Sequence, residues 1–125
     1  MQPCPFLRLL LIEDVDDIQA ILRFSLEMMA GWQVIVSKST QDWLTTAQDK
    51  APDVILIDVY AKHSDILTHL KRSFFTQDIP VVCLVARDRL SDQMQAKEDG
   101  AAAIIAKPFD PINLVKTIIG LVESR

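Results

Sequence analysis

Short apolar runs alternate with amphipathic segments along the whole chain. Five runs predict β-strands, at residues 7–12, 32–37, 54–57, 80–85 and 101–106. Continuous apolar runs rich in β-branched residues are typical of strands that are covered on both faces, as in a parallel sheet. The segments that follow the strands have apolar residues at helical spacing and predict helices at about 16–29, 42–50, 65–75, 89–99 and from 111 onward.

Capping residues mark several helix ends. Gly31 follows the first helix, and Gly100 is expected to close the fourth. Ser39 precedes Asp42 by three residues and resembles a capping box at the start of the second helix. Asp110-Pro111 forms an N-cap and N1 pair before the last helix.

Core positions follow from the same patterns. The predicted apolar stripes comprise Ile18, Ile21, Leu22 and Met29 in the first helix, Leu90 and Met94 in the fourth, and Ile112, Val115, Ile119 and Val122 in the last. Further residues predicted to pack in the core are Met28, Trp32, Trp43, Phe74 and Phe75.

The alternation of five strands with five helices predicts an α/β fold. Its simplest form is a doubly wound (βα)5 parallel sheet with right-handed crossovers and helices on both faces. The flavodoxin-like strand order 2-1-3-4-5 places strands one and three side by side. Their carboxyl ends then meet at the switch point, where ligands bind in such sheets.

Acidic residues end two of these strands. Glu13-Asp14 follows the first strand and Asp58 follows the third. A lone Asp at such a position is usually a cap, but two buried strands that both end in acid are poorly explained by capping. Two carboxylates about 5 Å apart repel by roughly 3 kcal/mol at an effective dielectric near 20. A bound Mg²⁺ would remove that repulsion and leave a carboxylate able to attack a phosphoryl group.

A basic residue is expected at the same edge of the sheet. Lys107 follows the fifth apolar run and precedes Pro108. An X-Pro bond in a tight strand-to-loop turn is a typical place for a cis peptide. The predicted site therefore combines Glu13, Asp14 and Asp58 with one lysine.

Composition limits the function classes. The chain has 125 residues, is half hydrophobic and carries a net charge of −4. These values favour one domain and argue against direct binding to nucleic acid or to an anionic membrane. No apolar run approaches the roughly 18 residues of a membrane span. Cys4 and Cys83 do not form a disulfide pattern, so we expect a cytoplasmic protein.

Several motifs together resemble a known family. Glu13-Asp14, Asp58 and Lys107-Pro108-Phe109, with Ile79-Pro80 and Asp99-Gly100-Ala101 between them, are similar to the receiver domain of two-component response regulators, the CheY-like family. The resemblance covers about residues 7–123. It implies one receiver domain over residues 1–125, with residues 1–6 as a flexible lead-in.

The resemblance implies a role for each site residue. Asp58 corresponds to the phosphoacceptor, and Lys107 to the residue that contacts the phosphoryl group. The implied cofactor is Mg²⁺ or Mn²⁺, with Asp14 as a direct ligand, Glu13 as a water-mediated one, and Asp58 and the Tyr60 carbonyl as further ligands. The only implied catalysis is self-catalysed phosphotransfer and autodephosphorylation by Asp58 and Lys107.

Two switch positions depart from the family pattern. Val85 stands where the family usually has Thr or Ser, and Ile104 stands where it usually has an aromatic residue. Valine lacks the hydroxyl that bonds the phosphoryl group, and such a bond is worth about 1.5–3 kcal/mol. We therefore expect Asp58 to accept phosphate while the conformational response is muted or follows another route.

The implied partners are a sensor histidine kinase or phosphotransfer protein and an unknown output protein. The last two helices and strand five are the expected surface for docking or for a homodimer. One alternative is a pseudo-receiver that binds proteins independently of phosphate. Another is a flavodoxin-like or nucleotide-binding protein, which the absence of a glycine-rich loop after the first strand argues against.

Overall fold

A computed structural model of the protein describes residues 6–58 and 63–124 and contains alternating strands and helices. In chain order they are β1 (Arg8–Glu13), α1 (Asp16–Ala30), β2 (Gln33–Ser37), α2 (Trp43–Lys50), β3 (Val54–Asp58), α3 (His63–Arg72), β4 (Val81–Ala86), α4 (Leu90–Glu98), β5 (Ala103–Lys107) and α5 (Pro111–Glu123).

The strands form one parallel sheet in the order β2-β1-β3-β4-β5. This is the flavodoxin-like order that the sequence predicted, and the (βα)5 prediction is confirmed. The order puts β1 and β3 next to each other at the centre of the sheet, so the residues that follow them lie at one edge.

Apolar residues cover both faces of the sheet. Alternate residues of the central strands pack against Leu22 and Leu26 of α1 and against Leu114 and Ile118 of α5. The intervening residues pack against α2, α3 and α4 on the opposite face. The two covered faces explain the unbroken apolar runs, because neither side of a central strand faces water.

The cap residues match the predictions with two exceptions. Gly31 ends α1 with a positive φ of 70°, and Asp110 accepts a hydrogen bond from the Ile112 amide at the start of α5. The C-cap of α4 is Asp99, one residue before the predicted Gly100. The N-cap of α2 is Asp42, which accepts a bond from the Thr45 amide, so the capping role predicted for Ser39 is wrong.

Several apolar residues predicted to be inward are exposed. Helix α4 packs through the small Ala96, which leaves Leu90 and Met94 in solvent. Helix α1 packs through Leu22 and Leu26, whereas Ile18, Ile21, Met28 and Met29, which were predicted to be inward, are exposed. Phe24 of α1 and the predicted stripe residue Ile112 of α5 are exposed as well.

The aromatic residues divide in the same way. Trp32 is buried as predicted, but helix α3 ends at Arg72, before Phe74 and Phe75. These two rings pack edge to face with their centroids 5.4 Å apart. Both rings are exposed, so the prediction that they pack in the core is wrong. No helix within the described ranges is long and apolar enough to cross a membrane.

Candidate functional site

The register between β1 and β3 brings two carboxylates together. Glu13 and Asp58 are the last residues of their strands and are direct neighbours in the parallel ladder. Side chains of paired residues in a parallel sheet point to the same face. Both follow the alternation that sends Leu11 and Leu56 toward α1 and α5, so both lie on that face.

Lys107 reaches the same point from β5, with β4 between it and β3. Its neighbour on β4 is Ala86, whose short side chain leaves room for the lysine to extend across that strand. The Lys107 Nζ lies 2.6 Å from Asp58 Oδ1 in a charge-assisted hydrogen bond. The Lys107–Pro108 peptide bond is cis, as predicted.

Burial makes this group of charges unusual. Glu13 is 3% exposed and Asp58 is 5% exposed. Glu13 Oε1 accepts a hydrogen bond of 3.1 Å from the Val15 amide, whereas Glu13 Oε2 is buried and has no partner among the described residues. An unpartnered buried oxygen carries the full cost of desolvation, and that cost is greatest when the carboxyl is ionised.

The pKa of Glu13 reflects this environment. Burial first, and then the adjacent Asp58, raise the pKa of Glu13 from 4.5 to about 8, against the opposing effects of the Val15 amide and Lys107. A hydrogen bond between the two carboxyl groups requires a proton on one of them. A proton shared with Asp58, or a bound cation, would satisfy the buried Glu13 Oε2.

Asp14 lies in a different environment from the other two acids. It is exposed, and its Oδ1 and Oδ2 accept hydrogen bonds of 2.7 and 2.8 Å from the amide and hydroxyl of Ser39. Among residues 6–58 and 63–124, no three acidic, histidine or cysteine side chains are arranged to hold a metal ion. The Tyr60 carbonyl lies outside the described residues. The metal-ligand roles of Glu13, Asp14, Asp58 and Tyr60 stay predictions.

The two atypical switch positions lie on the other face of the sheet. Val85 is buried among residues that pack on α3 and α4, and Ile104 is half-buried against the same cluster. Ile104 also lines a surface cavity of about 600 Å³ with Arg87 and Thr117. Neither side chain can donate a hydrogen bond.

Two features of the site were missed in the sequence. A cavity of about 480 Å³ is lined by Asp58, Lys107 and Phe109, and by Ile18 and Ile21 of α1. The two isoleucines had been assigned to the core, and their position relative to the site depends on how α1 rotates on the sheet. Ser39 was missed as a partner of Asp14, because no local pattern links residues 25 positions apart.

Comparisons with known proteins agree with this geometry. The family model of the response regulator receiver domain matches residues 9–119. The phosphate regulon transcriptional regulatory protein PhoB of Escherichia coli K12 is 35% identical over 114 residues, which are 89% of this chain and 49% of that protein. The chain thus spans about half the length of the curated relatives it matches.

Solved structures share the fold. A crystal structure from Chloroflexus aurantiacus J-10-fl, described as that of a response regulator, has a TM-score of 0.87 at 24% identity and covers 95% of this chain and 99% of its own. The receiver domain of the sensor histidine kinase PA1611 from Pseudomonas aeruginosa PAO1, solved with magnesium coordinated in its active-site cleft, has a TM-score of 0.82 at 20% identity, covering 95% and 99%. At these identities the likeness concerns the fold. The family match over most of the chain, together with the strand order, means that the protein belongs to the response regulator receiver domains of two-component systems.

Proposed function

We propose that the protein accepts a phosphoryl group on Asp58 from the phosphohistidine of a sensor histidine kinase or phosphotransfer protein, in the cytoplasm, and signals by protein contact. The contact of 2.6 Å between Lys107 Nζ and Asp58 Oδ1, next to the buried Glu13, is the observation that supports it best. A carboxylate, an ammonium group and a second carboxylate at the edge of a parallel sheet suit phosphoryl transfer to an acid.

The chemistry needs no other nucleophile. A carboxylate oxygen of Asp58 forms the new O–P bond, while the P–N bond to the donor imidazole breaks and the imidazole keeps the electron pair. Lys107 is close enough to donate to an oxygen of the incoming group, since it already donates to Asp58. Positioning and charge neutralisation carry most of the catalysis in phosphoryl transfer.

The chain's donor atoms fit a hard divalent cation such as Mg²⁺ or Mn²⁺. Glu13 Oε2 is a buried oxygen without a partner in the part of the chain that the structure describes, and the pKa of Glu13 near 8 reflects the cost of ionising it in a buried place beside Asp58. Asp14 and Asp58 would hold the cation together with the Tyr60 carbonyl, and Glu13 would hold it through a water molecule. When bound, the cation supplies positive charge that offsets the carboxylates and the phosphoryl group. The magnesium of the PA1611 receiver domain supports this assignment.

The surface around Asp58 suits a phosphodonor that makes apolar contacts. The cavity that contains Asp58 has an apolar wall formed by Ile18, Ile21 and Phe109. Ile21 is 65% exposed, which is a high value for an isoleucine that borders a charged site. We propose that a partner covers this wall, excludes water and brings its phosphohistidine to Asp58. Docking or homodimerisation through α4, β5 and α5 stays a separate proposal.

Incubation with acetyl phosphate and Mg²⁺, followed by intact-mass measurement, tests the proposal. We expect the wild-type chain to gain one phosphoryl group and the Asp58→Asn variant to gain none. Asp53→Asn is the matched control. Asp53 precedes the same strand, at the opposite edge of the sheet, and its carboxylate accepts a hydrogen bond from the Arg8 amide. Equal labelling of Asp58→Asn and the wild type, or no labelling of the wild type, would refute the assignment.

A phosphate-independent binding module is the second candidate. It is favoured by Val85 and Ile104, which cannot form the hydrogen bonds of a phosphate-driven relay, and by the engagement of Asp14 with Ser39. The labelling experiment separates the two functions, because a pseudo-receiver would not take up phosphate on Asp58.

A further inference from the structure

The loop between β2 and α2 forms hydrogen bonds with the acidic residue that follows β1. Ser39 donates its amide to Asp14 Oδ1 at 2.7 Å and its hydroxyl to Asp14 Oδ2 at 2.8 Å. The preceding Lys38 pairs with Asp16 at 2.8 Å through its Nζ. The exposed ion pair adds little, but hydrogen bonds to an ionised group are among the stronger ones in proteins.

The loop is held in this conformation by its own contacts. The Lys38 amide donates to Gln41 Oε1 at 2.9 Å, and the Gln41 amide donates to the Lys38 carbonyl at 3.0 Å. The indole Nε1 of Trp43 donates to the Ser39 carbonyl at 3.2 Å. These contacts with α2 and its preceding loop fix the position of Ser39. The two hydrogen bonds that Ser39 donates then fix the carboxylate of Asp14.

The position of Asp14 matters for cation binding. Glu13 and Asp58 are buried, whereas Asp14 is exposed, and these acids do not form a three-ligand group within the described part of the chain. Both carboxylate oxygens of Asp14 already accept hydrogen bonds from Ser39, so a cation that takes an Asp14 oxygen as a ligand competes with Ser39 for it. The energy of those bonds is then subtracted from the binding energy of the cation.

We propose that Ser39 is a positioning residue that restrains Asp14 and weakens the binding of divalent cations at Glu13 and Asp58. The inference rests on the proposed function and adds a regulatory element to it. Cation binding releases Asp14 from Ser39 and so changes the β2–α2 loop. Removing the hydroxyl of Ser39 leaves Asp14 Oδ2 free to reorganise and strengthens the binding of Mg²⁺.

Calorimetric titration of Mg²⁺ into the wild type and Ser39→Ala tests the inference. We expect the variant to bind about threefold to tenfold more tightly, because it loses one of two charge-assisted bonds at an exposed site. Ser73→Ala is the matched control, since it removes a serine hydroxyl from the loop before β4, at the other end of the sheet, and should bind like the wild type. Asp14→Asn should bind more weakly than all three.

The loop itself supplies a second readout. In the wild type, saturation with Mg²⁺ should shift the Ser39 amide resonance and the emission of Trp43, because both report on the contacts of Ser39. A Trp43→Phe variant distinguishes that emission from the emission of Trp32. The amide measurement needs no substitution, so it applies even where Ser39→Ala is poorly folded.

The outcomes separate this inference from the proposed function. Equal or weaker binding by Ser39→Ala, with normal binding by the wild type, would overturn the restraint by Ser39 and leave the phosphoacceptor proposal standing. An unchanged Ser39 amide at saturation would also overturn it. Failure of both proteins to bind Mg²⁺ would remove both proposals, whereas binding by the variant alone would support the restraint.

Discussion

Replacing Glu13 with glutamine is expected to remove a pH dependence of stability that the buried carboxyl creates. The pKa of Glu13 rises from 4.5 to about 8 in the folded chain, mainly through burial and then through Asp58. Between these two values the folded state holds a proton that the unfolded state releases. The free energy of unfolding therefore falls as the pH rises through this window.

The size of the effect follows from the shift. One pKa unit corresponds to about 1.4 kcal/mol, so the free energy of unfolding can fall by at most about 5 kcal/mol between the two pKa values. Between about pH 5.5 and pH 7.5 the loss should be about 2–3 kcal/mol, because Glu13 is then mostly ionised in the unfolded state and mostly protonated in the folded state. Glutamine has the same shape and does not titrate, so Glu13→Gln should lose this slope.

Urea denaturation followed by circular dichroism, in a chelator and over this pH range, measures the slope. Glu98→Gln is the control, because Glu98 is an exposed acid on α4 and its loss should leave the slope intact. Mg²⁺ should reduce the slope of the wild type, since a cation favours the ionised carboxyl. Wild type and Glu13→Gln with parallel curves in chelator would refute the argument that Glu13 is protonated in the folded chain.

Four further substitutions test the fold and the switch position. Gly100→Ala should destabilise the chain by about 1–3 kcal/mol in urea denaturation, because Gly100 has a φ of 105° that alanine rarely adopts. Gly120→Ala should stabilise the chain by about 0.5–1 kcal/mol, because Gly120 lies within α5 and an added methyl group there meets open space. Thr76→Val should cost about 1–3 kcal/mol in the same assay, because the buried Thr76 hydroxyl donates to the Leu70 carbonyl at 2.6 Å. Val85→Thr should enlarge the amide shifts in residues 85–109 on addition of beryllofluoride, because it supplies the hydroxyl that Val85 lacks in β4. Equal shifts in the wild type and the variant would contradict the argument that Val85 mutes the relay.

The fold was predictable because its signals are local and repeated. Each buried strand is marked by an unbroken apolar run, and Gly31 and Asp110 mark helix ends through chemistry that needs no tertiary context. The strand order followed from one further assumption, that two acid-ended strands are neighbours. The register that pairs Glu13 with Asp58 is consistent with it.

The errors concern features that depend on tertiary packing. Leu90 and Met94 are spaced for one helical face, but α4 packs through Ala96, and the sequence does not reveal which face a weakly amphipathic helix buries. Ser39 had the right spacing for a capping box, but its hydroxyl donates to Asp14, the residue that follows β1. Local patterns identify residues that can form hydrogen bonds, and the fold decides which partner each one meets.

The two faces of the sheet separate the proposed phosphoacceptor site from the two atypical switch positions. Glu13, Asp58 and Lys107 extend toward the face covered by α1 and α5, whereas Val85 and Ile104 pack toward α3 and α4. Substitutions at Val85 and Ile104 can thus weaken a relay through β4 and β5 without contacting the proposed acceptor Asp58. If the phosphorylated chain signals by another route, the elements that adjoin the acceptor are the nearest candidates. These are the exposed apolar side of α1 and the β2–α2 loop, which Ser39 couples to the site through Asp14.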